Sequence, residues 1–99
     1  MHLIIDTETT GLTPLSFVTE RNYKQWPRMI QIAWRLADEA SIKVDHSALI
    51  RPIGFQIPYR AMRIHGITQQ QAEKEGKDLQ KQLEALNKDM HDADSIIAH

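Results

Sequence analysis

The sequence predicts an α/β domain, and three observations carry that expectation. Residues 29–37 and 42–50 alternate apolar and polar side chains at a period of two, whereas beyond Gly54 the apolar residues recur at intervals of three and four. The first period is that of half-buried strands and the second that of amphipathic helices. A short apolar run, His2-Leu3-Ile4-Ile5, stands ahead of Asp6-Thr7-Glu8 and adds a buried strand before the two alternating ones. Three strands joined by local connections make an antiparallel meander, here followed by helices.

The N-terminal stretch continues as Asp6-Thr7-Glu8-Thr9-Thr10-Gly11-Leu12. Successive side chains of a strand alternate between faces, so Asp6 and Glu8 project to the same side, about 6.5 Å apart along the backbone. Two hard oxygen ligands at the mouth of a strand suit Mg²⁺ or Mn²⁺, which accept a few protein carboxylates and keep positions open for phosphate and water. Zinc fits poorly, because cysteine is absent and the five histidines are scattered. By itself the pair also fits a strand end with two solvated acids. Thr9, Thr10 and Gly11 add hydroxyls, backbone N–H groups and a residue free to take positive φ, all suited to a close-lying phosphate or sugar.

Residues 12–26 hold Pro14, Phe17, Tyr23 and Trp26 without a strict period and read as a long loop leaving the candidate site. Its aromatics either stack on bases or pack the loop onto the domain. In 29–37, Ile30, Ile32, Trp34 and Leu36 share one face. A polar link, Asp38 to Ser41, leads to Ile42, Val44, His46, Ala48 and Ile50 at the same period, closed by Arg51-Pro52. His46 reads as a satisfied core or edge histidine. Pro58 suits a helix first turn, Ile57, Ala61 and Ile64 share a face, and Gly66 marks a stop, so a short helix should end near His65. Thr68 with Gln71 forms a capping-box pattern for a second helix closed by Gly76. Leu79, Leu83, Leu86 and Met90 draw one core stripe along a third helix starting near Asp78.

With 99 residues, 41% hydrophobic and 25% charged, the chain has the composition of one ordinary domain. No apolar run approaches the roughly 20 residues that span a membrane, and no basic region precedes an apolar signal segment. The lack of cysteine excludes disulfides and fits a cytoplasmic setting. The net charge of −1 conceals an uneven division: residues 20–67 carry eight basic side chains against four acidic ones, and residues 68–99 carry four against seven. The basic middle could hold a phosphate backbone, although scattered solvated charge accounts for most of it.

The string from His2 to Leu12 resembles the first motif of the DnaQ-like, or DEDD, 3'-5' exonucleases, an apolar strand followed by Asp-x-Glu-Thr-Thr-Gly-Leu. Ile57-Pro58, Ala61, Ile64-His65-Gly66-Ile67-Thr68, the Leu-striped helix and Ala93-Asp94-Ser95-Ile96-Ile97-Ala98-His99 resemble the same pattern in the same order. The resemblance implies an RNase H-like fold with a fourth strand, Ser95 to His99, parallel to the first. It implies metal-dependent release of nucleotides from a single-stranded 3' end, with two Mg²⁺ or Mn²⁺ ions in the parent domain. A proofreading role beside a DNA polymerase is one form of that activity. Asp6 and Glu8 would be the catalytic metal ligands, Asp6 bridging both ions. Thr9, Thr10, Gly11 and His65 would contact the last nucleotide, although His65 reads equally as a helix C-cap histidine. The family's second motif continues past Ala-His to Asn and a third metal-binding Asp, and its third motif supplies a general-base His and a fourth carboxylate. These are absent here, so the resemblance implies that residues 1–99 are the N-terminal part of one exonuclease domain. Such a fragment should be inactive alone and inclined to self-associate as an oligomer or swapped dimer. Two other readings compete: a non-catalytic module binding nucleic acid or a partner chain, and a haloacid-dehalogenase-like phosphatase. The latter begins with Asp-x-Asp-x-Thr, where this sequence has Glu8, and has no place for the His-Gly-Ile-Thr segment.

Overall fold

The computed structural model describes residues 1–11, 19 and 26–99. The expected loop falls mostly outside them. The elements run β1 (His2–Thr9), β2 (Met29–Ala37), β3 (Ile42–Leu49), α1 (Tyr59–His65), α2 (Gln69–Glu75), α3 (Leu79–Met90) and β4 (Ser95–Ala98). One mixed sheet has the order β3-β2-β1-β4, with β1 and β2 antiparallel, β2 and β3 antiparallel, and β4 parallel to β1. The meander and the parallel fourth strand are therefore both present.

Strand register follows from burying one face. Leu3 pairs with Leu36, Ile5 with Trp34, Trp34 with His46, and Leu36 with Val44, which lines these side chains along one side of the sheet. Leu3, Ile32, Trp34, Leu36 and Ile50 form the main core together with Leu86 of α3. A one-residue slip would turn this whole set to solvent, so the alternation of β2 fixes the pairing. The β2–β3 turn is held by Asp38, whose Oδ1 accepts the N–H groups of Ala40 and Ser41, each at 2.8 Å. Trp34 is tied to α3 by an indole N–H donated to Asp89 Oδ2 at 2.8 Å. The His46 ring lies 4.4 Å from that of Trp34, and its Nε2 hydrogen-bonds with Gln82 Oε1 at 2.7 Å, so His46 is a satisfied histidine of this interface.

A second cluster, Ile30, Ile67 and Ala72 with Leu49 and Ile57 against it, docks α2 and the two segments that flank α1 on the sheet. The helix ends are chemically specified. Thr68 Oγ1 accepts the Gln71 N–H at 3.1 Å, and Asp78 Oδ2 accepts the Lys81 N–H at 3.0 Å. Gly66 closes α1 in the left-handed conformation, φ 75°, with its N–H on Met62 O at 2.7 Å. Pro58 stands one residue earlier than expected, at the N-cap in extended conformation.

Three apolar expectations are corrected. Ile4 is 43% exposed, because β1 buries only the Leu3–Ile5 side. Ile64 shares the Ala61 side of α1 but is 84% exposed, because that side borders the open cavity, and Leu83 is 42% exposed at the rim of its stripe. No helix among the described residues is long and apolar enough to cross a membrane.

Candidate active site

β1 is the inner strand that meets β2 on one edge and β4 on the other, and both acids lie on its C-terminal half. Asp6 is paired across the sheet with Ala33 and Glu8 with Gln31, so the two carboxylates share the face opposite the main core. The side chain of Asp6 is 52% exposed. Glu8 is half-buried. The β1–β2 register then shifts between Glu8 and Thr9, a break of the kind that re-aims side chains beside functional sites.

Past the break the chain is clamped. The Thr10 N–H donates to Arg28 O at 2.9 Å, and the Arg28 N–H returns to Thr10 Oγ1 at 2.8 Å. Thr9 Oγ1 donates to Gly11 O at 2.9 Å. Both hydroxyls thus hold the turn, yet Thr10 retains its own O–H hydrogen and Thr9 its lone pairs for a ligand. Gly11 departs from expectation, since positive φ among the described residues is confined to Gly54 and Gly66. A Cβ at Gly11 would meet nothing within 4 Å, so the position is open rather than strained.

The opposite wall comes from the end of α1. Thr7, Glu8, Thr9, Thr10 and Gly11 face Pro58, Arg60, Ala61, Ile64 and His65 across a cavity of about 600 Å³. His65 Nδ1 accepts the Ile67 N–H at 3.0 Å. That bond assigns the ring hydrogen of the neutral imidazole to Nε2, because a nitrogen accepting a hydrogen bond carries no proton. Nε2 is buried without a partner among the described residues. A buried donor left unsatisfied is costly for the free protein.

Glu8, Thr9, Thr10, Gly11 and His65 are therefore brought together, whereas Asp6 lies outside the cavity lining. Asp6 has another neighbour: His99 Nδ1 is 3.5 Å from its Oδ1, and the His99 N–H donates to Ile5 O at 3.0 Å. This contact was missed in the sequence, although the parallel register Leu3 to Ile96 and Ile5 to Ala98 carries residue 99 level with residue 6. Arg60 was missed as a lining residue too; only its three- and four-residue spacing from the helix's inner positions hinted at it.

The donor set tests the metal expectation. Two carboxylates on one strand face are hard oxygen ligands of the type that Mg²⁺ and Mn²⁺ accept with water completing the shell. Among the described residues no group of three or more His, Cys, Asp and Glu side chains is gathered closely enough to hold an ion. The residues present fit a weakly held, largely hydrated ion.

A family model described as "Exonuclease", RNase_T, matches residues 3–99. The chain belongs to the RNase_T exonuclease family. Its fold is similar to that of exonuclease X in complex with 5' overhanging duplex DNA, with 26% identity and a TM-score of 0.63 over 100% of this chain and 48% of that one. It is also similar to E. coli exonuclease I in complex with a dT13 oligonucleotide, at 20% identity and a TM-score of 0.75 over 99% of this chain and 20% of that one. A product-bound exonuclease I is similar at 19% identity and a TM-score of 0.74, covering 99% of this chain and 21% of that one. At such identities the exonuclease I likeness establishes the RNase H-like fold. The chain thus spans about half of the exonuclease X chain and about a fifth of the exonuclease I chains. No curated protein matches the sequence.

Proposed function

We propose that this RNase_T-family domain is part of a metal-dependent 3'-5' exonuclease that takes the 3' end of a single-stranded nucleic acid. One observation carries the reading: a strand end bearing Glu8, Thr9, Thr10 and Gly11 and a helix end bearing His65, far apart in sequence, form the two walls of one cavity. A cavity of about 600 Å³ is of the size that holds a small ligand, and a nucleotide is one. The family match supports the nuclease class.

Asp6 and Glu8 would hold the metal, which when bound supplies charge stabilisation at the scissile phosphorus and a more acidic water. The remaining work falls to the chain. Thr10 offers its hydroxyl hydrogen and Thr9 its lone pairs from a turn already clamped by Arg28, so little ordering is lost on binding. His65 offers Nε2–H to an acceptor on the terminal nucleotide. His99 Nδ1 lies 3.5 Å from the exposed carboxylate of Asp6. Hydrolysis would join the water oxygen to phosphorus and release the 3' oxygen of the preceding nucleotide with a proton.

The test is thermal unfolding with and without Mn²⁺, for the wild type, Asp6→Ala and Glu8→Gln, alongside mononucleotide release from a 3'-labelled single strand. Mn²⁺ is expected to raise the melting temperature of the wild type more than that of either variant, and any release should vanish in Asp6→Ala. Equal shifts in all three proteins would sink the metal assignment. A second reading, nucleic-acid binding without hydrolysis, draws on the cavity and its exposed Arg60 and needs no metal. An Mn²⁺ shift without Asp6-dependent release would select it. The family match leaves the phosphatase reading without support.

A further inference from the structure

The basic middle of the sequence resolves into two kinds of charge. Arg35 pairs with Asp45 at 3.0 Å and Lys43 with Asp92 at 2.9 Å. Arg28 reaches Ile53 O at 3.4 Å and lies 4.5 Å above the Phe55 ring, and Arg51 reaches Gly76 O at 3.3 Å. Arg60 and Arg63 of α1 are exposed, and among the described residues neither pairs with a carboxylate. α1 contains no acidic residue at all.

The same helix exposes an aromatic. Tyr59 is 69% exposed at its first position, and the Arg63 guanidinium lies 6.0 Å from the centre of its ring, one turn on. Such a ring pays a hydration cost that a stacked base would remove. With the guanidinium at that distance, most of the ring remains accessible to a stacking partner. Arg60 lines the cavity with Ala61, Ile64 and His65, whereas Tyr59 and Arg63 stand outside the lining, on the helix face that Arg60 borders.

We propose that α1 is a platform for the single strand behind the terminal nucleotide: a base stacks on Tyr59, and Arg60 and Arg63 neutralise phosphates of the nucleotides that follow the cavity. The inference rests on the reading of the cavity as the terminal-nucleotide site and assigns the path of the chain beyond it. Unneutralised cations next to an exposed ring are the chemistry of sequence-tolerant single-strand binding, and the absence of acid on α1 removes the repulsion that would oppose it.

The experiment measures anisotropy of 5'-labelled oligo(dT) of two and of twelve nucleotides, with matched oligo(rU), in EDTA so that nothing is cleaved. The proteins are the full chain and its Tyr59→Ala, Arg63→Gln and His65→Ala variants. The longer strand should bind more tightly than the dinucleotide. Tyr59→Ala should weaken the twelve-nucleotide strand about tenfold while leaving the dinucleotide unchanged. Arg63→Gln should do likewise and reduce the slope of log affinity against log salt by about 0.7. His65→Ala should weaken both lengths. Equal loss for DNA and RNA supports a path read by stacking and phosphate, whereas loss confined to one sugar type supports the path and adds recognition of that sugar. A length gain untouched by Tyr59→Ala and Arg63→Gln overturns the platform while the dinucleotide's dependence on His65 keeps the cavity reading. Indifference of both lengths to His65→Ala, or no binding of any strand, overturns the cavity reading and the platform with it.

Discussion

Gly76→Ala should be among the most damaging single-methyl changes in this chain, and its cost can be worked from the geometry. Gly76 ends α2 with φ −65° and ψ 144°, a conformation open to any residue, so conformational freedom is not what the position requires. The requirement is space. A Cβ there would lie 2.5 Å from Arg51 N and 2.6 Å from Arg51 Cα, and closer still to Ala72 O. Ordinary contact begins at 3.4 Å, so the two Arg51 atoms must retreat by about 0.9 and 0.8 Å, and all three obstacles are backbone. That retreat pulls on the bonds joining the α2 end to β3, from Lys77 N–H to Leu49 O at 2.7 Å and from Arg51 N–H to Lys77 O at 3.0 Å. Overpacking costs about 1–3 kcal/mol, and two weakened hydrogen bonds add about 1 kcal/mol each. A loss of about 3–5 kcal/mol corresponds to a melting temperature lower by roughly 12–40 °C for a domain of this size. The assay is circular-dichroism melting with urea titration, compared with Gly11→Ala, where the added methyl meets open space. A Gly76→Ala melting temperature within about 3 °C of Gly11→Ala would refute the steric argument.

Three other outcomes are expected. Asp89→Ala, which strips the acceptor from the buried Trp34 indole N–H, should cost about 1–3 kcal/mol in urea unfolding, with Asp89→Asn milder because an amide oxygen remains. Acid should destabilise the fold: Lys43 holds Asp92 below its ordinary value by hydrogen bonding and charge, the terminal amine does the same for Asp94, and the Ala40 and Ser41 N–H groups do so for Asp38. Carboxylates depressed in the folded state contribute stability that is present above their unfolded values and lost as pH falls through the folded ones, so urea midpoints should drop below about pH 4, less steeply in Asp92→Asn; a rise on acidification would contradict this. Finally, β4 is an edge strand with Ile96 and Ile97 each about half exposed, so sedimentation should show concentration-dependent self-association, and a single monomeric species throughout would count against it.

What was legible in the sequence was whatever depends on local chemistry. β2 announced itself because Ile30, Ile32, Trp34 and Leu36 alternate strictly, and all four are buried. The ends of α1, α2 and α3 were legible because Gly66, Thr68 and Asp78 satisfy backbone groups with their own atoms or conformations. What was not legible depends on what packs across from a residue. Ile4, Ile64 and Leu83 are as apolar as their buried neighbours, and only the placement of other elements decides that they face solvent. The site divides in the same way. The Asp6–Glu8 pair and its turn lie in one contiguous string, while the His99 contact with Asp6 depends on the register of a parallel strand, and the lining role of Arg60 depends on how α1 is docked.

β4 pairs with β1 from His2 to Ile5, and the two carboxylates stand beyond that stretch, where β1 is paired with β2. The acids stand on a strand whose position is fixed by the main core, with Leu3, Ile32, Trp34 and Leu36 in it. The His65 wall is anchored differently, through the small cluster of Ile30, Ile67 and Ala72. Less apolar area is buried there, so this wall should yield at a lower free energy than the strand it faces. Of its members Ile30 alone belongs to β2, and its neighbour Ile32 is in the main core, which makes Met29–Ala37 the common footing of both walls. A ligand that accepts from His65 and also engages Thr9 and Thr10 would bridge the less stable wall to the more stable one. Its binding energy would then be reduced by the ordering of α1, and the clamp of Thr10 on Arg28 ensures that the same cost is not incurred on the strand side.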